Sequence, residues 1–184
     1  MARVSLDPPR SLTIRIGEWY SRRRFGAVLD PGRVMAHNPR VLKTYVREEL
    51  SAEKWKRVPS GLKSLAAMSA AATVGCAWCM DFGYWQSTIG GADPAKIRDI
   101  RRWRESTAYT EPERAVIEYA EAMSVTPPMV EDSHVVRLRA FLDEAQVVEL
   151  SMTIAIENQR SRFNAALGLS SQGFADRCEL KPVP

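Results

Sequence analysis

Histidine is almost missing from this chain, with only His37 and His134 among 184 residues. Cysteine is nearly as scarce: Cys76, Cys79 and Cys178. A structural zinc site needs four ligands at regular spacing. His37, His134 and Cys178 stand at no such spacing to the close cysteine pair, so no metal centre is expected. An odd cysteine count also argues against the disulfide framework of a small secreted domain. Long hydrophobic runs are lacking. The most apolar stretch, residues 65–74, is interrupted by Ser69 and Thr73, and a membrane span needs about 20 residues. Residues 1–24 carry charge throughout and show no apolar core of a secretory leader. A cytoplasmic location without a membrane partner is therefore expected. Charge of one sign does not dominate either, since the net charge is +4. The basic clusters Arg22-Arg23-Arg24 and Arg101-Arg102-Trp103-Arg104 are short and accompany no nucleic-acid motif. They read as solvated helix faces, so no nucleic acid is expected as a partner.

What is present is an ordinary globular composition, 45% hydrophobic and 26% charged, enough for one domain with a core and an extension. Alternating strand patterns are scarce and helix signals recur. Asn38-Pro39 has an N-cap followed by proline at the first helical position. Behind it Val41, Leu42, Tyr45, Val46 and Leu50 keep helical spacing. Pro59-Ser60 opens a second helix that Gly75 can end. A third runs from near Cys76 to Ile89, stopped by Gly90-Gly91. Asp93-Pro94 starts one predicted to reach Trp103. Thr110 and Glu113 form a capping box, and Pro127-Pro128 ends the helix they begin. A short helix follows around His134 to Phe141, and Asp143 with Gln146 caps a last long one. The expected fold is all-α: an N-terminal extension over residues 1–34, a helical domain over 35–168 and an irregular tail over 169–184.

The chemistry-bearing feature is Gly75-Cys76-Ala77-Trp78-Cys79. Two cysteines three apart on a starting helix lie about 60° from each other around its axis, within reach of a disulfide. The helix N-terminus offers free N–H groups and a positive dipole end, which favour the thiolate. From the residues alone, a redox dithiol and a pair of buried inert cysteines stay open, with a zinc half-site a weaker competitor that lacks two spaced ligands. A thioredoxin fold would need a strand before the motif, and the preceding segment is alanine-rich and helical.

A helix ending in Gly-Cys-x-x-Cys, followed by an amphipathic helix with a glycine-containing end, resembles the core of the alkylhydroperoxidase D-like (carboxymuconolactone decarboxylase) family. Ala36-His37-Asn38-Pro39-Arg40-Val41-Leu42 resembles that family's upstream helix start. Residues 158–167, including Arg162-Phe163-Asn164, resemble its final helix. The stretch Cys76-Ala77-Trp78-Cys79-Met80-Asp81-Phe82-Gly83 resembles one branch of the family. The resemblance implies a helical bundle and a dithiol that reduces a small hydroperoxide or exchanges with a thiol substrate. It also implies an external dithiol reductant, no bound cofactor, and a homo-oligomer, trimer or hexamer. Cys79 would face the peroxide and Cys76 resolve it. The family's proton relay uses a Glu twelve residues before the first cysteine and a His four after the second. Here Ser64 and Gly83 stand at those positions. Neither can act as a base near neutral pH, so only weak peroxidase activity is expected. The alternative is a catalytically degenerate member serving as redox sensor or interaction protein. Lactone decarboxylation, the family's other activity, does not need paired cysteines.

Other side chains are candidates for the pocket or relay. Asp81 lies about 200° around the helix from Cys79 and reads as a solvated or ion-paired carboxylate. Gln86, seven positions on, returns to the Cys79 face but cannot titrate. Glu157 sits in an unusually polar stretch of the last helix, either reaching the cysteines or paired with Arg160 or Arg162. Trp78, Phe82 and Trp85 read as core packing or as an apolar pocket around the motif. Cys178 reads as a spectator near the tail, with a third redox partner as the alternative.

Overall fold

The computed structural model describes residues 2–179, and among these the chain is all-helical, without a strand. The elements are α1 (Leu12–Phe25), α2 (Asp30–Met35), α3 (Pro39–Ala52), α4 (Ser60–Val74), α5 (Ala77–Ile89), α6 (Pro94–Arg98), α7 (Glu111–Ser124), α8 (Asp132–Arg139), α9 (Glu144–Ala166) and α10 (Asp176–Glu179). Among the described residues no helix is long and apolar enough to cross a membrane. The chain forms two compact units. One holds the residues up to 54 with Leu167–Leu169, the other residues 55–166 and the described residues from 170 on.

Most helix ends follow the capping residues. The Asn38 side chain accepts the N–H groups of Arg40 and Val41. Thr110 and Glu113 complete their capping box. Asp143 and Gln146 each accept the other's backbone N–H, at 2.7 and 2.9 Å. The structure adds to the sequence reading in one region and differs from it in another. The N-terminal extension is largely helical, because Ser11 caps α1 and Gly26 ends it in the left-handed conformation. The helix begun at Pro94 does not run to Trp103. It ends at Arg98, and a 3₁₀ turn, Ile100–Arg102, follows. Three residues per turn put Ile97, Ile100 and Trp103 on one side, and all three are buried.

In the larger unit α4 is the central element, packed on α5, α7 and α9. Its alanines let the neighbours approach closely: Ala66 and Ala70 are wholly buried, alongside Val116 and Ala120 of α7 and Leu150 and Ile154 of α9. A second cluster joins Leu65 and Met68 of α4 to Tyr84 of α5, Ile97, Ile100, Trp103 and Ile117. Together these clusters hold α4 against the middle of α5, against α7 and against the first half of α9.

Candidate functional site

The site begins at the junction of α4 and α5. Gly75 ends α4 with φ 81°, a left-handed backbone that costs a residue with a Cβ about 1–2 kcal/mol. The next residue, Cys76, is extended and serves as the N-cap of α5. Its Sγ accepts the Cys79 N–H at 3.1 Å, as a serine hydroxyl does at an ordinary helix start. Cys76 and Cys79 are joined as a disulfide, with Cα atoms 5.3 Å apart, inside the usual range of about 4.4–6.8 Å. Both are buried, 1% and 6% exposed. The first-turn N–H groups and dipole of α5 act on both sulfurs.

From α9, Asn164 reaches this pair: its Nδ2 donates to Cys79 Sγ at 3.3 Å. Asn164 ends a polar stripe on an otherwise apolar side of α9. Ser161 donates its hydroxyl to Glu157 Oε1 at 2.9 Å, and Arg160 donates to Oε2 at 3.1 Å. Glu157 is buried, so of the two sequence readings the Arg160 pair is present. Arg162 turns instead to the Ser124 carbonyl and the Thr126 hydroxyl.

The remaining candidates separate. Ser64 is half-buried in the first half of α4, and Gln86 is exposed near the end of α5. Gly83 lies against α4: a Cβ there would come within 2.6 Å of Met68 Sδ. Its lack of a side chain is thus a packing feature of the α4–α5 contact. Among the described residues no group of three His, Cys, Asp or Glu is assembled that could hold a metal ion.

Asp81 corrects the sequence reading. It is neither solvated nor ion-paired but buried, and its two oxygens accept the N–H groups of Gln172 and Ala175, each at 2.8 Å. Burial alone pushes its carboxyl up. The N–H groups of Ala175, Phe174 and Gln172 and the Ser171 hydroxyl together outweigh this and hold it below the ordinary carboxylate range. Trp78 Nε1 adds a bond to the Gln172 side chain at 2.7 Å. Phe174 is wholly buried, edge-on to Phe82 and tilted against Trp85, while Trp78 stacks on Phe82 at 4.9 Å. Residues 171–175, without helix or strand as the tail was expected to be, therefore strap α5, and among the described residues the expectation departs only at the short α10. The aromatic residues around the motif pack on one another and on this strap. Cys178 is half-buried beside the second core cluster.

Comparison with known proteins agrees with this geometry. The pattern of the Carboxymuconolactone decarboxylase family matches residues 39–122. The uncharacterized protein YnjA of Escherichia coli (strain K12) is 33% identical over 172 residues, 91% of this chain and 94% of that protein. The chain belongs to the carboxymuconolactone decarboxylase family. The fold is shared with solved structures of low identity. The apo debrominase Bmp8 aligns with TM-score 0.81 and 21% identity, covering 94% of each chain. An uncharacterized peroxidase-related protein from Ralstonia eutropha JMP134, described as an alkylhydroperoxidase AhpD core, aligns with TM-score 0.82 and 14% identity, covering 95% of this chain and 94% of that one. The family match includes Cys76 and Cys79 but stops before α9. Asn164 and the strap were not singled out from sequence. The available signal was the polar run in α9, which marks a buried polar stripe on this carboxymuconolactone decarboxylase-type scaffold.

Proposed function

We propose that this family member is a thiol–disulfide oxidoreductase that reduces small hydroperoxides weakly through Cys76 and Cys79. The observation that carries this reading is the bonded cysteine pair at the N-terminus of α5. In the cycle the Cys79 thiolate attacks the distal peroxide oxygen, the O–O bond breaks, and the alkoxide leaves as an alcohol after taking a proton. The Cys76 thiolate then attacks the resulting sulfenic acid, releasing water with a second proton and forming the disulfide. An external dithiol restores both thiols by exchange and itself becomes a disulfide. The assignment of Cys79 as the attacking sulfur rests on family resemblance. Ser64 and Gly83 supply no acid or base, and relay groups are commonly worth about 10²–10⁴ in rate, so slow turnover follows.

The burial of both sulfurs favours a second reading, a redox sensor or interaction protein that reacts slowly with its oxidant. A panel of hydroperoxides with lipoyl, thioredoxin and mycothiol-type reductants separates the two. The compound 2,3,4-tribromopyrrole belongs in the panel because a structure of the fold neighbour Bmp8 contains it. Thiol counting by mass spectrometry, after mild oxidant and again after dithiothreitol, accompanies the turnover assay. The wild type loses two thiols and regains both; Cys76→Ser and Cys79→Ser lose none to an internal bond. A pair that stays reduced under oxidant ends the redox reading, and reversible oxidation without turnover selects the sensor. A homo-oligomer is part of the proposal, supported by α1 and α3, which contain no buried residue.

A further inference from the structure

We propose that Asn164 is a positioning residue for the cysteine pair: its side-chain amide holds Cys79 as a thiolate and so sets the pH at which that sulfur reacts. The inference rests on the dithiol reading above. Asn164 is 2% exposed, and its Nδ2 donates to Cys79 Sγ. Its Oδ1 is buried without a hydrogen-bond partner. Among the described residues the sulfur is thus the one group its amide bonds. The neighbouring polar groups of α9 direct their donors to the scaffold, although the Oδ1 of Asn158 is unpartnered like that of Asn164. Ser161 bonds Glu157, and Asn158 donates to the Ser124 hydroxyl and the Ile154 carbonyl. An unmet buried carbonyl is costly, and leucine would fill a similar volume without that penalty. The reason for an amide here lies with the sulfur.

A disulfide sulfur is a weak acceptor, so the bond seen gains most when Cys79 carries a charge. Ionisation takes Cys79–SH to the thiolate and a proton, which passes to water. Hydrogen bonds to a charged group are about twice as strong as neutral ones. Donation from Nδ2 to the thiolate therefore outweighs any bond from the thiol S–H to Oδ1, and the thiolate is favoured. Among the described side chains, the charged groups on the elements packed against α5 are placed as follows. Lys63 of α4 pairs with Glu149, and Lys96 of α6 with Glu113. Arg98 of α6 bonds the Tyr84 hydroxyl. On α9, Glu157 pairs with Arg160 and Arg162 bonds the Ser124 carbonyl. On α10, Arg177 lies over the Phe174 ring, and Asp176 has a carboxylate oxygen beside Gly173. Asp81, on α5 itself, faces the strap. Cys76 has its own donor in the Cys79 N–H. For Cys79 the specific donor is Asn164.

The test uses the full chain with Cys76→Ser and Cys178→Ser, which leaves Cys79 as the single thiol, and follows thiolate ultraviolet absorbance against pH. Asn164→Leu should raise the Cys79 midpoint by about one unit, about tenfold less thiolate below it. Asn164→Asp should raise it further, because a carboxylate then faces the thiolate. A folded Asn164→Leu protein with an unmoved midpoint overturns the proposal. Should either variant fail to fold, the protein with Asn164 intact decides: the Asn164 side-chain amide resonance must titrate together with Cys79, and a resonance that does not move overturns it. None of these readings uses hydroperoxide turnover. Failure of the peroxidase reading and failure of this one are therefore separate results.

Discussion

The two units use helix-forming residues to opposite effect. In the unit up to residue 54, α1 and α3 have side-chain N-caps, Ser11 and Asn38, yet neither buries a single residue. Trp19, Ile16 and Leu12 on α1 and Val41, Val46 and Leu50 on α3 are exposed. In the larger unit α4 has no side-chain cap at all, yet Leu65, Ala66, Met68, Ser69, Ala70 and Ala71 are buried. Caps decide where a helix begins. Burial is decided by what stands across from its apolar face, and most helix stability comes from that packing. The paired cysteines, Asn164 and the strap all lie in the larger unit.

The contrast can be broken most directly in the core. Leu150→Ala or Ile154→Ala, both at wholly buried positions, should cost about 2–5 kcal/mol in urea denaturation. Leu50→Ala or Ile16→Ala, at exposed positions, should stay within about 0.5 kcal/mol in a monomeric sample. Equal losses would erase the distinction.

Slightly smaller is the effect of Glu149, which accepts the Arg57 and Val58 N–H groups and the Lys63 ammonium. Glu149→Ala leaves the two N–H groups unmet and Lys63 with the Trp55 carbonyl in place of a carboxylate, and should cost about 2–4 kcal/mol. Burial raises this carboxyl, but the N–H groups of Val58 and Arg57 and the ammonium of Lys63 outweigh it and hold it below its ordinary value. A depressed folded-state value means that the stability it contributes is present above the unfolded value, about 4.3. That contribution is lost as pH falls below this point. Acid denaturation of wild type and Glu149→Gln should therefore converge at low pH.

The strap follows. Asp81→Asn removes one of two acceptors for Gln172 and Ala175 and should cost about 1–3 kcal/mol, with faster proteolysis around residues 171–178. The Asp81 carboxyl is also depressed, so by the same sign the strap should loosen in wild type only below about pH 4. Strap proteolysis unchanged in the variant would show that the Phe174 contacts hold it alone.

The smallest effect on folding sharpens the comparison from the other side. Trp19→Asp with Leu50→Asp changes exposed positions and should leave the denaturation midpoint within about 0.5 kcal/mol of wild type. If α1 and α3 are covered by other copies of the chain, the sedimentation mass of this variant should fall to one chain. A wild type already monomeric at micromolar concentration would remove the oligomer from the proposal.

The helix ends at Asn38, Gly75, Thr110 and Asp143 were legible because each is a local hydrogen-bonding event between residues a few positions apart. So was the cysteine pair, since three residues on a starting helix set its geometry. Helix α1 carries its own local signals as well, a serine N-cap at Ser11 and a left-handed Gly26 at its end. The 3₁₀ turn after Arg98 was not legible, because it answers a tertiary demand that Ile97, Ile100 and Trp103 all be buried together. Asp81 was misread for a related reason. Its angle around α5 is a helix property, but the partners that fill that side come from residues about ninety positions later.

By itself the sequence determined the all-helical class, most helix starts, and a dithiol placed at a helix N-terminus, because these depend on backbone hydrogen bonds within one or two turns. Only the tertiary structure decided what surrounds the sulfurs. Asn164 meets Cys79 from 85 residues away, Gly83 lies against Met68, and the strap returns to Asp81 and Trp78. Such contacts are set by how α4, α5 and α9 pack, and packing depends on the shapes of distant side chains that no local pattern records.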